Sequence, residues 1–428
     1  MAILLGALTV LACGAGAQEL DPGVRLLARI KDHMREELSQ IPNYTCLETI
    51  VRFRKAPGRG AKLQPADTVR LEIVYSDHKE WYGSPGDRKL SSDDPAGFVG
   101  SGMIGTGSFA TTLHNLFQTT GATFTYRGEE TLGNRSAARY DFHWPRWMGG
   151  FEVSIFGGTG TVGERGSFWA DPQSLDLIRL ESAADEIPPF LLLQELRSSM
   201  NYARMRIGEY SALLAQQADT DMLKTTGEES YDRLEFTHCR AFTAESAIRF
   251  GTGADDGAKQ PAQDSDASVR GTASASIPAL LKVTVRLAST ITEKDAVGTL
   301  IEGRVMGDVL RKGKVVIAND AVVRGRIRRL ERYQGGQDWI VGLEFTEVEA
   351  SAGAVPFYGD LLQMDPLPGL RPTLSEQVPV NPAGQFQVTP ETVTLPELPG
   401  VASFFVHGKT FTLSSGVRMI WRTRGPLR

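Results

Sequence analysis

Residues 252–276 contain no Leu, Ile, Met or aromatic side chain and are rich in Ala, Asp, Gly and Ser. Such a segment cannot bury enough apolar surface to offset the entropy lost when it becomes ordered. We therefore predict a flexible linker at this place. It divides the 428-residue chain into an N-terminal module at 18–251 and a C-terminal module at 277–428, each of ordinary domain size.

The first residues of the chain predict export. An apolar run at 3–12 has the length of a signal-peptide core and is too short to span a bilayer. Ala-Gly-Ala at 15–17 supplies a cleavage site, so we expect a signal peptide over 1–17 and a mature chain from Gln18, in the periplasm or associated with the outer membrane. Two alternatives are an apolar N-terminus packed in a core, and a lipoprotein anchored through Cys13, which ends a lipobox-like Val-Leu-Ala-Cys sequence.

Composition excludes several classes of protein. The chain carries 46 Lys and Arg against 51 Asp and Glu, a net charge of −5, whereas nucleic-acid binders usually have a basic excess, so we expect no nucleic-acid partner. Its 41% of hydrophobic residues excludes disorder of the whole chain. No stretch after the signal peptide approaches the roughly 18 apolar residues of a membrane helix, so we expect no transmembrane segment there.

Two cysteines remain once the signal peptide is removed. Cys46 and Cys239 each lie in a strand-like run, and an even pair in an exported chain is typical of a disulfide. The bond would tie the first strand of the N-terminal module to its last strand. The alternative is a pair of buried free thiols.

The N-terminal module begins with a helix and continues as strands. Apolar residues recur at helical spacing over 22–39, behind an N-cap at Asp21 and a proline at the first helical position. Further helices are predicted at 108–119 and 188–200. Alternation with period two predicts strands at 45–53, 68–76, 123–127, 138–143, 151–156, 166–170, 175–182, 202–207, 233–239 and 246–250. In the first of these strands, Leu47, Val51 and Phe53 share one face.

The C-terminal module is also predicted to be β. Alternating runs indicate strands at 280–287, 300–305, 314–317, 321–330, 339–345 and 418–423, with a hairpin formed by 402–406 and 410–413. Residues 350–399 are irregular and rich in proline. Short strands joined by glycine-bearing turns suggest a small barrel or sandwich. The whole chain is therefore mainly β (α+β), with a large antiparallel sheet and a few helices in its N-terminal module.

No motif supports a reaction. Two G-x-G-x-x-G matches lack the strand-then-helix context of a dinucleotide site, and no G-x-S-x-G elbow is present. The six histidines are dispersed and none is paired at helical spacing, which argues against a metal site. We accordingly assign no catalytic residue, no cofactor and no metal, and expect a non-enzymatic protein. An unrecognised enzyme is the alternative.

One charge pattern invites a functional interpretation. Alternation over 323–330 places Arg324, Arg326 and Arg328 on one strand face, opposite Val323 and Ile327. The first interpretation is an edge strand that uses charge to prevent edge-to-edge pairing. The second is a face for an anionic partner such as lipid headgroups or polysaccharide.

The N-terminal module resembles the LolA/LolB-type half-barrel, which also occurs in the RseB sensor domain. The resemblance rests on the leading helix, on Ile-Pro-Asn-Tyr-Thr-Cys-Leu-Glu at 41–48, and on Trp-Ala-Asp-Pro at 169–172 followed by Arg179-Leu180. It covers roughly 20–250, and the module also resembles uncharacterised exported proteins of soil bacteria. It implies an unclosed barrel lined with apolar residues that holds acyl chains or a lipoprotein.

A weaker resemblance concerns the C-terminal module. Ile-Pro-Ala at 277–279, Asp308-Val309, 314–317 and Val-Arg-Gly at 323–325 are similar to the C-terminal β-barrel of the outer-membrane ring protein of conjugation and type IV secretion channels. The likeness implies only a barrel of that general shape; it does not imply a role in a secretion channel.

These observations lead to a hypothesis about function. We expect a cell-envelope protein whose half-barrel binds a lipid, a lipoprotein or another apolar ligand, with the 108–119 helix as a lid. The alternative is a structural or scaffolding envelope protein that makes only protein contacts, in which the same side chains form an ordinary core. The candidate lining residues are Val69, Leu71, Ile73 and Tyr75 on one strand and Phe151, Val153 and Ile155 on another.

Overall fold

The computed structural model describes residues 20–76, 79–86, 95–99, 104–105, 109–118, 121–155, 158–241, 277–333, 337–350, 353–367, 369–371, 398 and 400–426. The predicted signal peptide with Cys13, the mature start at Gln18, the 246–250 strand and the 252–276 linker lie outside these residues.

The described residues up to 241 form two helices and one large curled sheet. The elements are α1 (Pro22–Gln40), β1 (Tyr44–Lys55), β2 (Gln64–Ser76), β3 (Lys79–Gly83), α2 (Phe109–Gln118), β4 (Thr123–Leu132), β5 (Arg135–Trp144), β6 (Phe151–Ile155), β7 (Gly158–Ala170), β8 (Leu177–Asp185), β9 (Leu193–Ile207), β10 (Tyr210–Lys224) and β11 (Glu229–Ala241). The strands run antiparallel in the order β3-β2-β1-β11-β10-β9-β8-β7-β5-β4, and β6 pairs with β7. We call this the N-terminal sheet. The predicted half-barrel with a leading helix is confirmed.

Helix α1 lies across the inner face of the N-terminal sheet. The Asp21 side chain accepts the N–H of Gly23 at 2.8 Å, which caps the helix start as predicted. Ile30, Met34 and Leu38 are buried on the side that faces the sheet. The start is also held by the hydroxyl of Tyr140, which donates to the Gly23 carbonyl at 2.7 Å.

A charged network fixes the second half of α1. Arg204 on β9 donates to Asp176 at 2.6 Å and to Glu37 of the helix at 2.9 Å. His33, one turn earlier, contacts the same Asp176 carboxylate at 2.9 Å. Helix α1 is therefore attached to the sheet at both ends, and not only by apolar packing.

The described residues from 277 on form a second β structure. Its strands are β12 (Lys282–Leu287), β13 (Ile291–Thr292), β14 (Leu300–Val305), β15 (Val309–Arg311), β16 (Lys314–Ile317), β17 (Val322–Arg332), β18 (Asp338–Ala350), β19 (Gly353–Pro356), β20 (Gly359–Met364), β21 (Leu370–Arg371), β22 (Ala402–His407), β23 (Thr412–Leu413) and β24 (Arg418–Thr423). Nine of them form the C-terminal sheet, in the order β20-β24-β12-β14-β17-β18-β22-β21 with β19 on β18. Strands β13–β23 and β15–β16 form two separate pairs.

The two sheets contact each other at an open strand edge. Strand β3 pairs only with 72–76 of β2, so the preceding part of β2 has a free edge. Val297 fills it: its N–H donates to the Thr68 carbonyl and its carbonyl accepts from the Arg70 N–H, both at 2.8 Å. At Gly298, which has φ +93°, a Cβ would lie 2.4 Å from the Arg70 carbonyl oxygen, so the approach requires glycine. The segment between β13 and β14 thus covers an edge that would otherwise be exposed.

Three sequence predictions are corrected by the strand pairing. The 188–200 helix is wrong, because residues 189–191 form one 3₁₀ turn, Leu192 adopts the left-handed conformation at φ 52°, and β9 follows. The 402–413 hairpin is wrong, since β22 pairs with β18 and β21 while β23 pairs with β13. The edge-strand interpretation of 323–330 is also wrong, because β17 lies between β14 and β18.

The predicted disulfide is confirmed. Cys46 on β1 and Cys239 on β11 are bonded, with their Cα atoms 4.1 Å apart. Strands β1 and β11 are neighbours in the sheet, as the sequence argument required.

Candidate functional site

The seven candidate lining residues do not surround one cavity. Val69, Leu71 and Ile73 are buried in the main core together with residues of α1 and α2. Tyr75 belongs to a second cluster, where its ring stacks on that of Tyr44 at 5.3 Å between centroids. Val69, Leu71 and Ile73 pack against the helices and Tyr75 packs in the second cluster, so the lining assigned to these four residues is corrected to core packing.

The other three candidates lie in a separate apolar cluster at one end of the N-terminal sheet. We call this cluster the apolar mouth. No described side chain of α1 or α2 belongs to it. Its buried members are Val153, Val162, Leu191, Leu193 and Met222, and its partly buried members are Phe151, Ile155, Ala184, Ile187 and Leu196.

A glycine turn places strand β6 over this end of the sheet. Gly150 has φ +52°, and a Cβ there would lie 1.9 Å from the Val162 carbonyl oxygen, so no other residue fits. Strand β6 then pairs with β7 alone, from Phe151 opposite Val162 to Ile155 opposite Gly158. It therefore covers the apolar mouth as a short strand with one described hydrogen-bonding neighbour.

Exposed apolar side chains lie in the two turns that precede β6 and β9. Trp147 in the turn before β6 is 78% exposed, and Phe190 and Leu192 before β9 are 59% and 52% exposed. The two turns are tied together, because the Arg146 N–H donates to the Glu186 carboxylate at 2.7 Å. A grouped set of large exposed apolar residues is unusual on a protein that acts alone in water.

A carboxyl group follows the apolar mouth along the same strand face. Glu164 lies two residues from Val162, so both side chains point to the inner side of β7. Burial raises the pKa of Glu164, and a hydrogen bond with Ser182 opposes that shift. A carboxyl group that is easily neutralised is compatible with an adjacent apolar ligand.

Charged groups are buried deeper in the sheet, on β1 and its neighbours. Glu48 is fully buried, and neither of its carboxylate oxygens has a hydrogen-bond partner in the described part of the chain. Burial, and then the nearby Glu80 and Asp232, raise the pKa of Glu48 well above its usual range. Arg52, also fully buried, pairs with Asp67 at 3.4 Å.

Asp232 completes this buried group. It accepts the N–H of Gly105 at 2.8 Å. Burial raises its pKa to about 6, although the charge of Arg52 opposes the shift. The sequence did not predict this group, because Glu48 and Arg52 alternate with the more hydrophobic Leu47, Val51 and Phe53, which were assigned to one face. The signal that could have revealed it is the spacing of two residues that puts Glu48 and Arg52 on the same face as Ile50.

The outer face of the N-terminal sheet carries a polar groove of about 610 Å³. Phe168 points into the core, so the adjacent Ser167 is on the outer face. Ser167 donates to Asp141 at 2.7 Å, and Arg179 donates to Glu181 at 2.7 Å, so several of these charges satisfy one another. The groove is hydrophilic and does not extend the apolar mouth.

The three arginines of β17 that were candidates for an anion-binding face have partners within the protein. Arg326 is buried, and donates to the carbonyl oxygen of Pro85 at 2.7 Å across the contact between the sheets and to that of Gly298 on its own side at 3.2 Å. Arg328 donates to Glu344 at 2.9 Å. Arg324 pairs with three glutamates on the adjacent strands, Glu302, Glu347 and Glu349. The assignment of Arg326 to an exposed anion-binding face is corrected, because its role is to join the sheets.

Neither a metal centre nor a membrane-spanning helix is present among the described residues. They contain no group of three or more His, Cys, Asp or Glu side chains arranged to hold a metal ion. None of the described helices has both the length and the apolar character needed to cross a bilayer.

Comparison with known proteins finds likeness in solved structures. No protein family model matches the chain, and no curated protein matches it. A DUF1329 family protein from Desulfovibrio piger is 14% identical and matches over 54% of this chain and 100% of its own, with a TM-score of 0.30. A putative outer membrane lipoprotein-sorting protein domain from Vibrio parahaemolyticus is 12% identical over 55% and 95%, with a TM-score of 0.28.

A third solved structure comes from a type IV secretion system. ComB10 of the Com type IV secretion system of Helicobacter pylori is 11% identical over 34% of this chain and 86% of its own, with a TM-score of 0.19. The chain thus resembles solved proteins of the two kinds that the sequence suggested, a lipoprotein-sorting domain and a type IV secretion protein. At these identities and TM-scores, the likeness carries no argument about function.

Proposed function

We propose that this chain is a non-enzymatic binding protein of the cell envelope that takes up a lipid, the acyl part of a lipoprotein or another apolar ligand at the apolar mouth. One observation carries the proposal: an apolar cluster outside the helix-covered core is continuous with exposed apolar residues. Leu191 is buried in the cluster, while its neighbours Phe190 and Leu192 are exposed. An acyl chain that enters there would gain about 0.8 kcal/mol for each buried CH₂ group.

Uptake requires the mouth to open, and β6 is the element that would move. Strand β6 is five residues long and pairs only with β7 among the described strands. Segments with few hydrogen-bonded neighbours open at a lower free-energy cost than central strands do. Displacement of β6 would expose Val153 and Val162 to a ligand without disturbing the core beneath α1.

Location in the cell envelope is supported by two features. Disulfides persist in oxidising compartments and are rare in the cytosol, and Cys46 is bonded to Cys239. The apolar run at 3–12 and the Ala-Gly-Ala at 15–17 supply an export signal. Anchoring through Cys13 is the lipoprotein form of the same proposal.

A pair of tryptophan substitutions tests the proposal. Val153→Trp fills the apolar mouth, so it should abolish uptake of a fluorescent fatty-acid probe. Although Val153 is buried, its cost in free energy of unfolding should be small, because β6 pairs with β7 alone among the described strands and can shift to make room. Ile73→Trp is the matched control, because Ile73 is only 1% exposed in the core beneath the helices. Overpacking there should cost about 1–3 kcal/mol of stability and leave probe uptake intact in the folded protein.

The contradicting result is strong destabilisation by both substitutions together with no probe uptake by the wild type. It would favour the second candidate, a structural envelope protein. The observation that supports this candidate is the contact between the sheets, where Arg326 binds two carbonyl groups and Val297 extends the edge of β2.

A further inference from the structure

The β15–β16 hairpin is separate from the C-terminal sheet. Its two strands pair only with each other, with Leu310 opposite Val315 and Arg311 opposite Lys314. Lys312 and Gly313 form the turn with φ values of +50° and +75°, as in the tight turns that match strand twist. The hairpin is fixed at its base, where Val309 and Ile317 are buried in the main core.

The tip of the hairpin combines cations with aliphatic side chains. Arg311, Lys312 and Lys314 are all exposed. The cross-strand pair Leu310 and Val315 is 54% and 45% exposed. Cations beside exposed aliphatic groups are the combination found on protein surfaces that lie in the interface of a membrane.

These three cations differ from most arginines of the C-terminal sheet because their charge is not neutralised. No salt bridge or side-chain hydrogen bond joins any of the three to another described residue, whereas Arg324 alone contacts three glutamates. Two acidic residues lie near the base of the hairpin, and both are engaged. Asp308 accepts the Asn319 N–H at 2.7 Å, and Asp320 lies 3.7 Å from Arg304.

We propose that the β15–β16 hairpin docks the protein onto a membrane surface that carries anionic lipid headgroups. The three cations would face the phosphates, and Leu310 with Val315 would enter the boundary between headgroups and acyl chains. The exposed pair Leu310 and Val315 favours a membrane over a nucleic acid as the partner, because a nucleic acid offers no apolar phase in which these side chains could be buried. The inference goes beyond ligand uptake and does not depend on it.

Charge gives the expected size of the effect. A Lys or Arg near an anionic membrane surface strengthens binding roughly fivefold, so three of them together contribute about a hundredfold. This contribution is screened by salt, since the Debye length falls from about 30 Å at 0.01 M to about 10 Å at 0.1 M.

Vesicle sedimentation tests the proposal. The full chain is mixed with vesicles of phosphatidylcholine alone, or of phosphatidylcholine with phosphatidylglycerol, at low and high salt. We expect the wild type to prefer the anionic vesicles at low salt. The triple variant Arg311→Gln/Lys312→Gln/Lys314→Gln should lose roughly a hundredfold in that binding. The double variant Leu310→Ser/Val315→Ser should also bind more weakly, although its charge is unchanged.

A charge-matched control separates a local site from net charge. Arg59→Gln/Lys62→Gln/Lys282→Gln removes three exposed cations elsewhere, none of them in a salt bridge with a described residue, and should bind like the wild type. Equal loss in both triple variants would overturn the proposal, as would equal binding of the wild type to both vesicle types. So would binding to DNA with the same salt dependence and no effect of the aliphatic double variant. Thermal melting of each variant confirms that it is folded.

Discussion

Asp232→Asn should make the protein more stable at neutral pH. Burial raises the pKa of Asp232 to about 6 from an ordinary value of 3.8. The folded state therefore holds a proton that the unfolded chain releases between about pH 4 and pH 6. Stability from this group is greatest below pH 4 and is lost as the pH rises to 6. Asparagine resembles the protonated form and can still accept the Gly105 N–H.

The size of the effect follows from the pKa difference. A shift of one pKa unit corresponds to about 1.4 kcal/mol, so a shift from 3.8 to about 6 amounts to about 3 kcal/mol. We expect Asp232→Asn to exceed the wild type by up to about 3 kcal/mol in free energy of unfolding at pH 7.5. The difference should shrink through pH 5 and vanish near pH 4.

Urea unfolding at several pH values measures this difference, and Asp141→Asn is the control of opposite sign. Burial raises the pKa of Asp141, but hydrogen bonds from Ser167, Arg127 and Arg139 outweigh it and the pKa is lowered. Its substitution should therefore reduce stability at neutral pH, with an effect that fades as the pH falls. Should Asp232→Asn be neutral or destabilising at pH 7.5, pairing with Arg52 would fully compensate the buried charge, and the reasoning would be refuted.

Three further substitutions probe the attachments within the fold. Removal of the disulfide by Cys46→Ser/Cys239→Ser opens a link across 193 residues and should cost up to roughly 5 kcal/mol, measured by urea unfolding under non-reducing conditions. Gly298→Ala should lower the melting temperature, since strained backbone and steric conflict cost about 1–3 kcal/mol; a melting temperature equal to that of the wild type would argue against a tight contact between the sheets. Tyr140→Phe removes the hydrogen bond to Gly23 and should cost about 1 kcal/mol; hydrogen exchange should quicken in the first turn of α1 and not elsewhere.

Short-range sequence patterns predicted the elements that depend mainly on their own residues. The N-cap at Asp21 and helical spacing located α1, and simple alternation located β14, β16 and β24 to the residue. The disulfide followed from an even cysteine pair in two strand-like runs.

In strand β1 the alternation was predicted, but the face that is buried was not identified. Leu47, Val51 and Phe53 do share a face, but they are only partly buried. The buried face instead carries Glu48 and Arg52: Arg52 pairs with Asp67 on β2, and Glu48 is buried without a hydrogen-bond partner in the described part of the chain. Hydrophobicity alone does not identify a buried face that carries charged residues.

Strand β10 was missed for a different reason. A register shift between Ala215 and Gln217 interrupts its alternation, so no period-two pattern extends along its 15 residues. The first part of β9 is mispredicted as a helix because its leucine-rich start imitates helical spacing, although β8 and β10 pair with the strand on both sides. The strand predicted at 202–207 matches its second part. In both strands the pairing of neighbours, and not local preference, determines the structure.

The candidate site was only partly predictable. Alternation correctly grouped Phe151, Val153 and Ile155, yet it joined them to β2 residues that pack in another cluster. Exposed Trp147 and Phe190 gave no sequence signal, because their exposure depends on two turns that meet only in the folded chain.

Quenching of Trp147 fluorescence by a brominated fatty acid tests the central claim most directly. Trp147 is exposed directly before β6, whereas Trp421 is fully buried in the C-terminal sheet. Binding at the apolar mouth predicts saturable quenching in the wild type that is lost in Trp147→Phe and unchanged in Trp421→Phe. Quenching that never saturates, or that persists in Trp147→Phe, would contradict ligand binding at the mouth.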